Sequence, residues 1–228
     1  MDNRNKMRNS ANETLKMLKE CNAIIENDHF VYVSGHHGSS WINKDAILPN
    51  VKRVKRLGKL LAEKLKYADA EVVCAPAIAG IIIAQWTAYY LNTLAVFAEH
   101  DPSWKPGKGI PGSGGLGAPF ILRRGYDKLV AGRNVVVVDD IINTGFSAKS
   151  TVDAISKVGG EVEAVAVIVN RGNIVPEELG VNKLIYLLEY KLPVWEANEC
   201  KLCLEGFPIN KEYGHGHEYV ISKSYVRR

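Results

Sequence analysis

Residues 134 to 147 read NVVVVDDIINTGFS. Four valines in succession leave no polar face, which is the pattern of a strand buried on both sides, as in a parallel sheet. Such a strand delivers Asp139 and Asp140 to its carboxyl end, where open α/β sheets receive their ligands. Two adjacent carboxylates are costly there unless something positive or hydroxylated meets them, so sugar hydroxyls or, through water, a divalent metal would suit them. Asn143, Thr144, Gly145, Phe146 and Ser147 then form a small polar turn into a helix, whose first N–H groups and dipole favour a phosphate. Acid pair followed by phosphate cradle suits a sugar phosphate. The plain alternative is a parallel strand that ends in Asp and a common Thr-Gly turn.

The flanking sequence repeats the alternation of strand and helix. Upstream, EVVCA from Glu71 and TLAVFA from Thr93 are short apolar runs, and AGIIIAQWTAYYL between them is long enough for a buried helix opening near Gly80. Downstream, Ser147 to Val158 predicts a helix stopped by Gly159-Gly160, followed by the strand VEAVAVIVN and a further strand LIYLL. These are β-α-β units and predict an α/β fold, a parallel sheet with helices on both faces. Before them, Pro49-Asn50 introduces Val51, Val54, Leu57, Leu61 and Leu65 at amphipathic helical spacing. At the N-terminus, Ser10 and Glu13 have the form of a capping box, and Leu15, Leu18, Ile24 and Ile25 predict a helix running to about Asn27. His29 to Val33 then reads as a short strand stopped at Ser34-Gly35. The stretch 100 to 118, with three prolines and a run of glycines, fits neither strand nor helix and has the character of a lid loop. The expected organisation is an N-terminal helix and hood over 1–50, an α/β core over 51–190 and a tail over 191–228.

A chain of 228 residues, 46% hydrophobic, can bury a sizeable core, and its formal charge of +4 is spread over 29 basic and 25 acidic residues. Nothing in that balance demands a nucleic acid, and no apolar run approaches the roughly 18 residues of a membrane span. The polar first residues lack the apolar core of a secretory signal, so a cytoplasmic location is expected. Four cysteines do not make a disulfide scaffold in a chain of this length, and Cys21 and Cys74 are expected to be reduced core residues.

Val135 to Ser147 resembles the signature of the type I phosphoribosyltransferases: four apolar residues, two acids, two apolar or variable residues, then a Thr-Gly turn, with Asn143 where many members have Thr. The resemblance implies that Asp139 and Asp140 contact the ribose hydroxyls of 5-phosphoribosyl-1-pyrophosphate and that Asn143 to Ser147 hold its 5-phosphate. Ala77, Ile78, Ala79 and Gly80 look like the family loop that wraps the pyrophosphate. The segment 100–118 stands where the family has a mobile lid, which implies a charge-stabilising role for Lys105, Lys108, Arg123 and Arg124 and a donor carrying Mg on its pyrophosphate. An exposed basic loop facing solvent is the alternative.

Within the family the chain looks most like orotate phosphoribosyltransferase, which implies a base site at Ser34, Gly35, His36 and Asn143 and an arginine, Arg171, facing the orotate carboxylate. A surface arginine at a strand end is the other reading of Arg171. Val33 and Ala79 stand where orotate enzymes carry lysines, and the lid has Lys-Pro-Gly-Lys in place of their Lys-x-x-Lys-x-His-Gly. A purine-base transferase and a donor-sensing regulator are the competing functions; the regulator lacks a nucleic-acid-reading element, and no G-x-G-x-x-G supports a dinucleotide enzyme. The resemblance also implies a homodimer. In the tail, Cys200 and Cys203 with His215 and His217 form a candidate Zn set, although H-x-H is not the usual spacing. Two unlinked thiols in an irregular tail are the alternative.

Overall fold

The valines of the quoted stretch lie at the centre of a six-stranded sheet. A computed structural model describes residues 3–32, 34–105 and 117–226, with side chains placed between 9 and 221. The chain divides into two units, Met1–Met17 with Leu48–Tyr190 and Leu18–Ile47 with Lys191–Arg228.

In chain order the elements are α1 (Asn3–Glu20), β1 (Ile24–Val31), β2 (His37–Ile42), α2 (Val51–Leu65), β3 (Val72–Pro76), α3 (Ala79–Leu91), β4 (Leu94–His100), β5 (Phe120–Leu122), α4 (Tyr126–Val130), β6 (Asn134–Ile142), α5 (Phe146–Lys157), β7 (Glu161–Asn170), α6 (Pro176–Leu179), β8 (Leu184–Glu189), β9 (Val194–Trp195), α7 (Lys201–Leu204) and α8 (Gly216–Val226). The larger unit carries the sheet in the order β5-β4-β3-β6-β7-β8. Every pair is parallel except β4 with β5, which is antiparallel at the edge. Val135, Val136, Val137 and Val138 are fully buried, as are Val72, Val73 and Cys74 in β3. Because strand side chains alternate between faces, Val72, Cys74, Val135, Val137, Val165 and Val167 share one face, where Ala148, Val152 and Ile155 of α5 cover them. α2 and α3 pack on each other, and α3 also packs on β3 and β6. Each fully buried valine contributes about 1.5–3 kcal/mol relative to exposure.

The sequence placed α2 and α3 well. Asn50 caps α2, its side chain accepting from the Arg53 N–H at 3.0 Å, and Asn92 ends α3 in the left-handed region at φ 57°. The N-terminal helix differs from expectation. It ends at Glu20, because Asn22 takes φ 53° and the N–H groups of Asn22 and Ala23 turn back to the carbonyls of Lys19 and Leu18. Ile24 and Ile25 therefore begin a strand. Ser10 lies inside the helix, where its carbonyl accepts the Thr14 hydroxyl at 2.8 Å, and Glu13 reaches Arg56 of α2.

The smaller unit is a three-stranded antiparallel sheet in the order β1-β2-β9. The tail runs beside β1, with Asn210 N donating to His29 O at 2.7 Å and His215 N to Val31 O at 2.8 Å.

Candidate active site

The strand order reverses between β3 and β6, since β3 connects outward to β4 and β6 outward to β7. That is the switch point at which open α/β sheets bind ligands beyond their carboxyl ends. β3 ends in Ala75-Pro76 and β6 carries Asp139-Asp140 near its carboxyl end, so the two segments the sequence singled out are neighbours.

Asp139 and Asp140 are 8% and 4% exposed. Asp139 Oδ1 accepts the Asp140 N–H at 2.8 Å and Asp140 Oδ1 accepts the Ile141 N–H at 2.6 Å, so each carboxylate is oriented by the backbone that follows it. Gly80, in the first turn of α3, comes so close that a Cβ there would lie 3.0 Å from Asp139 Oδ1 and 3.3 Å from the Val138 carbonyl. Only a residue without a side chain brings the helix start to the acid pair at this distance. Ahead of it, the Ala77 N–H donates to Ala98 O at 2.8 Å, Ile78 is 80% exposed and Ala79 is buried. The Ala77–Ile78 peptide is cis.

The turn after β6 leads into α5 through Gly145, at φ 78°, and Gly145 is packed under Leu179 and Ile174. Asn143 and Thr144 are exposed, and Phe146 and Ser147 half-buried. The Phe146 N–H approaches the Thr144 hydroxyl at 3.5 Å. Neither α3 nor α5 has a side-chain cap at its N-terminus, in contrast to α2. Two helix starts with first-turn N–H groups therefore open at one end of the sheet, beside two carboxylates: a place for two phosphate groups and a hydroxylated ring between them.

Arg171 follows β7 and is anchored next to the same turn, its N–H donating to Ile142 O at 2.9 Å. Gly172 then lies against Asn143 so closely that a Cβ would come within 1.6 Å of its carbonyl oxygen. Sequence reasoning passed over Gly172; the NRG step at a strand end was its only signal.

Arg123 and Arg124 leave the edge strand β5, and both reach Glu99 of β4, at 3.3 and 2.9 Å. Glu99 was not singled out from the sequence. The hydrogen bond to Glu99 raises Arg124 above its usual pKa. Beside β4 and β5, the Asp101 N–H donates to Pro119 O at 2.8 Å and His100 Nδ1 lies 2.8 Å from Ala118 O. Lys105 is exposed there, whereas Lys108 and Val33 lie outside the described residues. Ser34, Gly35 and His36 belong to the smaller unit, in the β1–β2 connection; Gly35 takes φ 82° and His36 Nε2 pairs with Glu196 at 2.8 Å.

The expected Zn set requires a correction. His215 and His217 are exposed, whereas the atoms clustered with Cys200 and Cys203 are those of His29 and His37. The H-x-H spacing sends both tail histidines to solvent; a β hairpin supplies the imidazoles instead. A histidine on each arm of a strand-Ser-Gly-strand pattern was the signal available. Cys21 is half-buried just past α1, whereas Cys74 is fully buried and its thiol is pushed up to about 12 by burial.

Comparison with known proteins matches residues 43–181 to the phosphoribosyl transferase domain. An orotate phosphoribosyltransferase of Nitratiruptor sp. is 32% identical over 204 residues, covering 84% of this chain and 93% of that protein. One from Caldicellulosiruptor bescii is 33% identical over 199 residues, covering 86% and 94%. The crystal structure of orotate phosphoribosyltransferase from Aeropyrum pernix superposes with a TM-score of 0.56 at 25% identity, over 77% of this chain and 93% of that one. With this match over residues 43–181 and relatives above 30% identity over most of its length, the chain belongs to the phosphoribosyltransferase family.

Proposed function

We propose that the chain transfers 5-phosphoribose from phosphoribosyl pyrophosphate to orotate and releases pyrophosphate. The observation that carries this reading is the close approach of Gly80 to Asp139, which sets the α3 start and the acid pair side by side at the switch point. The acceptor comes from the relatives, which are named as orotate enzymes over most of the chain's length.

In this reading Asp139 and Asp140 accept hydrogen bonds from the ribose hydroxyls. Asn143 to Ser147 offer N–H groups to the 5-phosphate, and Ala77 to Gly80 enclose the pyrophosphate. Within the larger unit, Asn143 meets the base and Arg171 pairs with its carboxylate. The nitrogen of the base attacks the anomeric carbon, the bond to the pyrophosphate oxygen breaks, and its electron pair leaves with pyrophosphate. Lys105, Lys108, Arg123 and Arg124 balance the charge that accumulates on the leaving group, the two arginines exchanging Glu99 for it. The buried pair of oxygen donors at Asp139 and Asp140 suits a hard cation. Mg2+ carried mainly by the donor pyrophosphate would lie near them and supply further neutralisation of that charge. The closed lid keeps water from the activated sugar. The enzyme acts in the cytoplasm as a homodimer; among the described residues no helix is long and apolar enough to cross a membrane.

The test is pyrophosphate release with phosphoribosyl pyrophosphate and Mg2+ against orotate, uracil, adenine, guanine, hypoxanthine and xanthine. Turnover with orotate that falls about 10²–10³-fold in Asp139→Asn with unchanged thermal stability supports the reading. Turnover with a purine alone reassigns the acceptor, and donor binding without turnover on any base overturns the enzymatic reading in favour of a sensor.

A further inference from the structure

The geometry of the smaller unit points to a second site: we propose that His29, His37, Cys200 and Cys203 form a structural Zn2+ centre joining the β1–β2 hairpin to α7. The four candidate donor atoms lie within 4.8 Å of one another. His29 Nε2 is 2.8 Å from His37 Nδ1, 3.4 Å from Cys200 Sγ and 3.8 Å from Cys203 Sγ, and Cys203 Sγ is 3.4 Å from His37 Nδ1. A tetrahedral Zn2+ with bonds of about 2.0–2.1 Å to nitrogen and about 2.3 Å to sulfur places its nitrogen and sulfur ligands ~3.5 Å apart. The nitrogen–sulfur distances bracket that value.

The surroundings of His29 supply a separate argument. Its Nδ1 lies 2.9 Å from the Phe207 carbonyl, which can only accept, so Nδ1 carries the proton and Nε2 turns a lone pair toward the other three donor atoms. A ring nitrogen held by a backbone carbonyl while its partner faces the cluster is the usual outer support of a metal-bound imidazole. Two imidazole nitrogens and two thiols that a cation would deprotonate thus meet in a mostly buried place, a donor set suited to a metal ion. Two sulfurs and two imidazoles with no carboxylate favour Zn2+ over Mg2+ or Ca2+, and four protein ligands leave no open position for catalysis. Binding moves two thiol protons to solvent and changes no oxidation state.

The tail also needs such a link. Between Lys191 and Ile221 only Cys200 and Gly216 are buried, so apolar burial contributes little to holding this segment on β1 and β2. Small units with thin cores are commonly secured by a metal. All four ligands lie outside the family match at 43–181 and none is among the residues assigned to the donor or the base, so the test does not depend on the acceptor.

The test uses the full chain expressed with ample zinc and dialysed against metal-free buffer, followed by elemental analysis and replacement by Co2+. About one Zn per chain is expected, with tetrahedral cobalt absorption and a thiolate-to-cobalt charge-transfer band. Cys203→Ser should lower metal content at least about tenfold, Cys203→His should retain it with a weakened charge-transfer band, and His215→Ala with His217→Ala should leave it unchanged. A well-folded wild-type chain that carries no Zn and gives no cobalt charge-transfer band overturns the proposal, as does metal lost on changing His215 and His217. If Cys203→Ser fails to fold, the wild-type cobalt spectrum and the Cys203→His variant still decide.

Discussion

Gly172→Ala should damage both stability and donor use, for a reason of space alone. Gly172 is not among the residues with positive φ, so alanine meets no backbone penalty there. Its Cβ, however, would lie 1.6 Å from the Asn143 carbonyl oxygen and 2.7 Å from the carbonyl carbon. Taking 3.4 Å as ordinary contact, the two backbones must part by about 1.8 Å, and no rotamer change can relieve a clash between main chains. The N–H groups of Arg171 and Gly172 both donate to Ile142 O, at 2.9 and 3.3 Å, so separation strains or breaks these bonds at about 0.5–1.5 kcal/mol each. With about 1–3 kcal/mol of overpacking, the total is roughly 2–6 kcal/mol. For a chain of this size that is a fall in Tm of roughly 4–24 °C. Asn143 opens the proposed phosphate turn, and a displacement above 1 Å at a substrate-positioning group can lower kcat/KM by about 10²-fold. Calorimetry and initial rates of pyrophosphate release at varied donor concentration measure both. Gly132→Ala is the control: Gly132 has φ 70° and open space around its Cβ, so it should cost about 1–2 kcal/mol and leave the donor KM alone. A Gly172→Ala protein with wild-type Tm and kcat/KM would refute the argument.

Arg56→Ala should cost no more than about 1 kcal/mol, because the Glu13–Arg56 pair, at 2.6 and 2.7 Å, is partly exposed and screened. The hydrogen bond to Arg56 lowers Glu13 from its ordinary 4.5, so the pair's contribution is present above that value and lost as pH falls through the folded pKa. Melting curves of the two proteins should accordingly converge in acid; a gap that widens there contradicts the assignment. In native protein at pH 8, Cys74 should resist alkylation while half-buried Cys21 reacts, since burial pushes the Cys74 thiol up to about 12; peptide mapping by mass spectrometry reads this directly. Asn22→Val should destabilise by about 1–2 kcal/mol and Asn22→Gly by less, because the helix stop needs φ 53°; equal denaturation midpoints would count against that stop.

What the sequence made legible follows from how local each signal is. The run of valines with the acids behind it, the apolar thirteen-residue stretch that became α3 and the Asn50 cap are each encoded within one segment, and each lies where it was expected. Ile24 and Ile25 were misplaced because apolar periodicity continued through Asn22, where one backbone angle ends the helix. Ser10 and Glu13 looked like a cap because spacing alone does not disclose that Arg56, 43 residues from Glu13, claims that carboxylate. Likewise Cys200 was read with the nearest histidines in sequence, although His29, 171 residues away, is the one beside it. The pairing of Arg123 and Arg124 with Glu99 depends on antiparallel register at the sheet edge, which composition does not disclose.

The division of the smaller unit between two stretches of chain also sets a schedule for its birth on the ribosome. β1 and β2 emerge first, and a lone two-stranded hairpin is marginal in water. The strand and tail that complete the unit are translated only after the whole of 48–190, which at roughly 5–20 residues per second is a wait of roughly 7–30 s. During that interval the larger unit can finish its sheet while the hairpin remains unsupported, open to chaperones or to strands of neighbouring chains. Translational pausing before Lys191 should therefore lower the yield of native protein more than pausing after it.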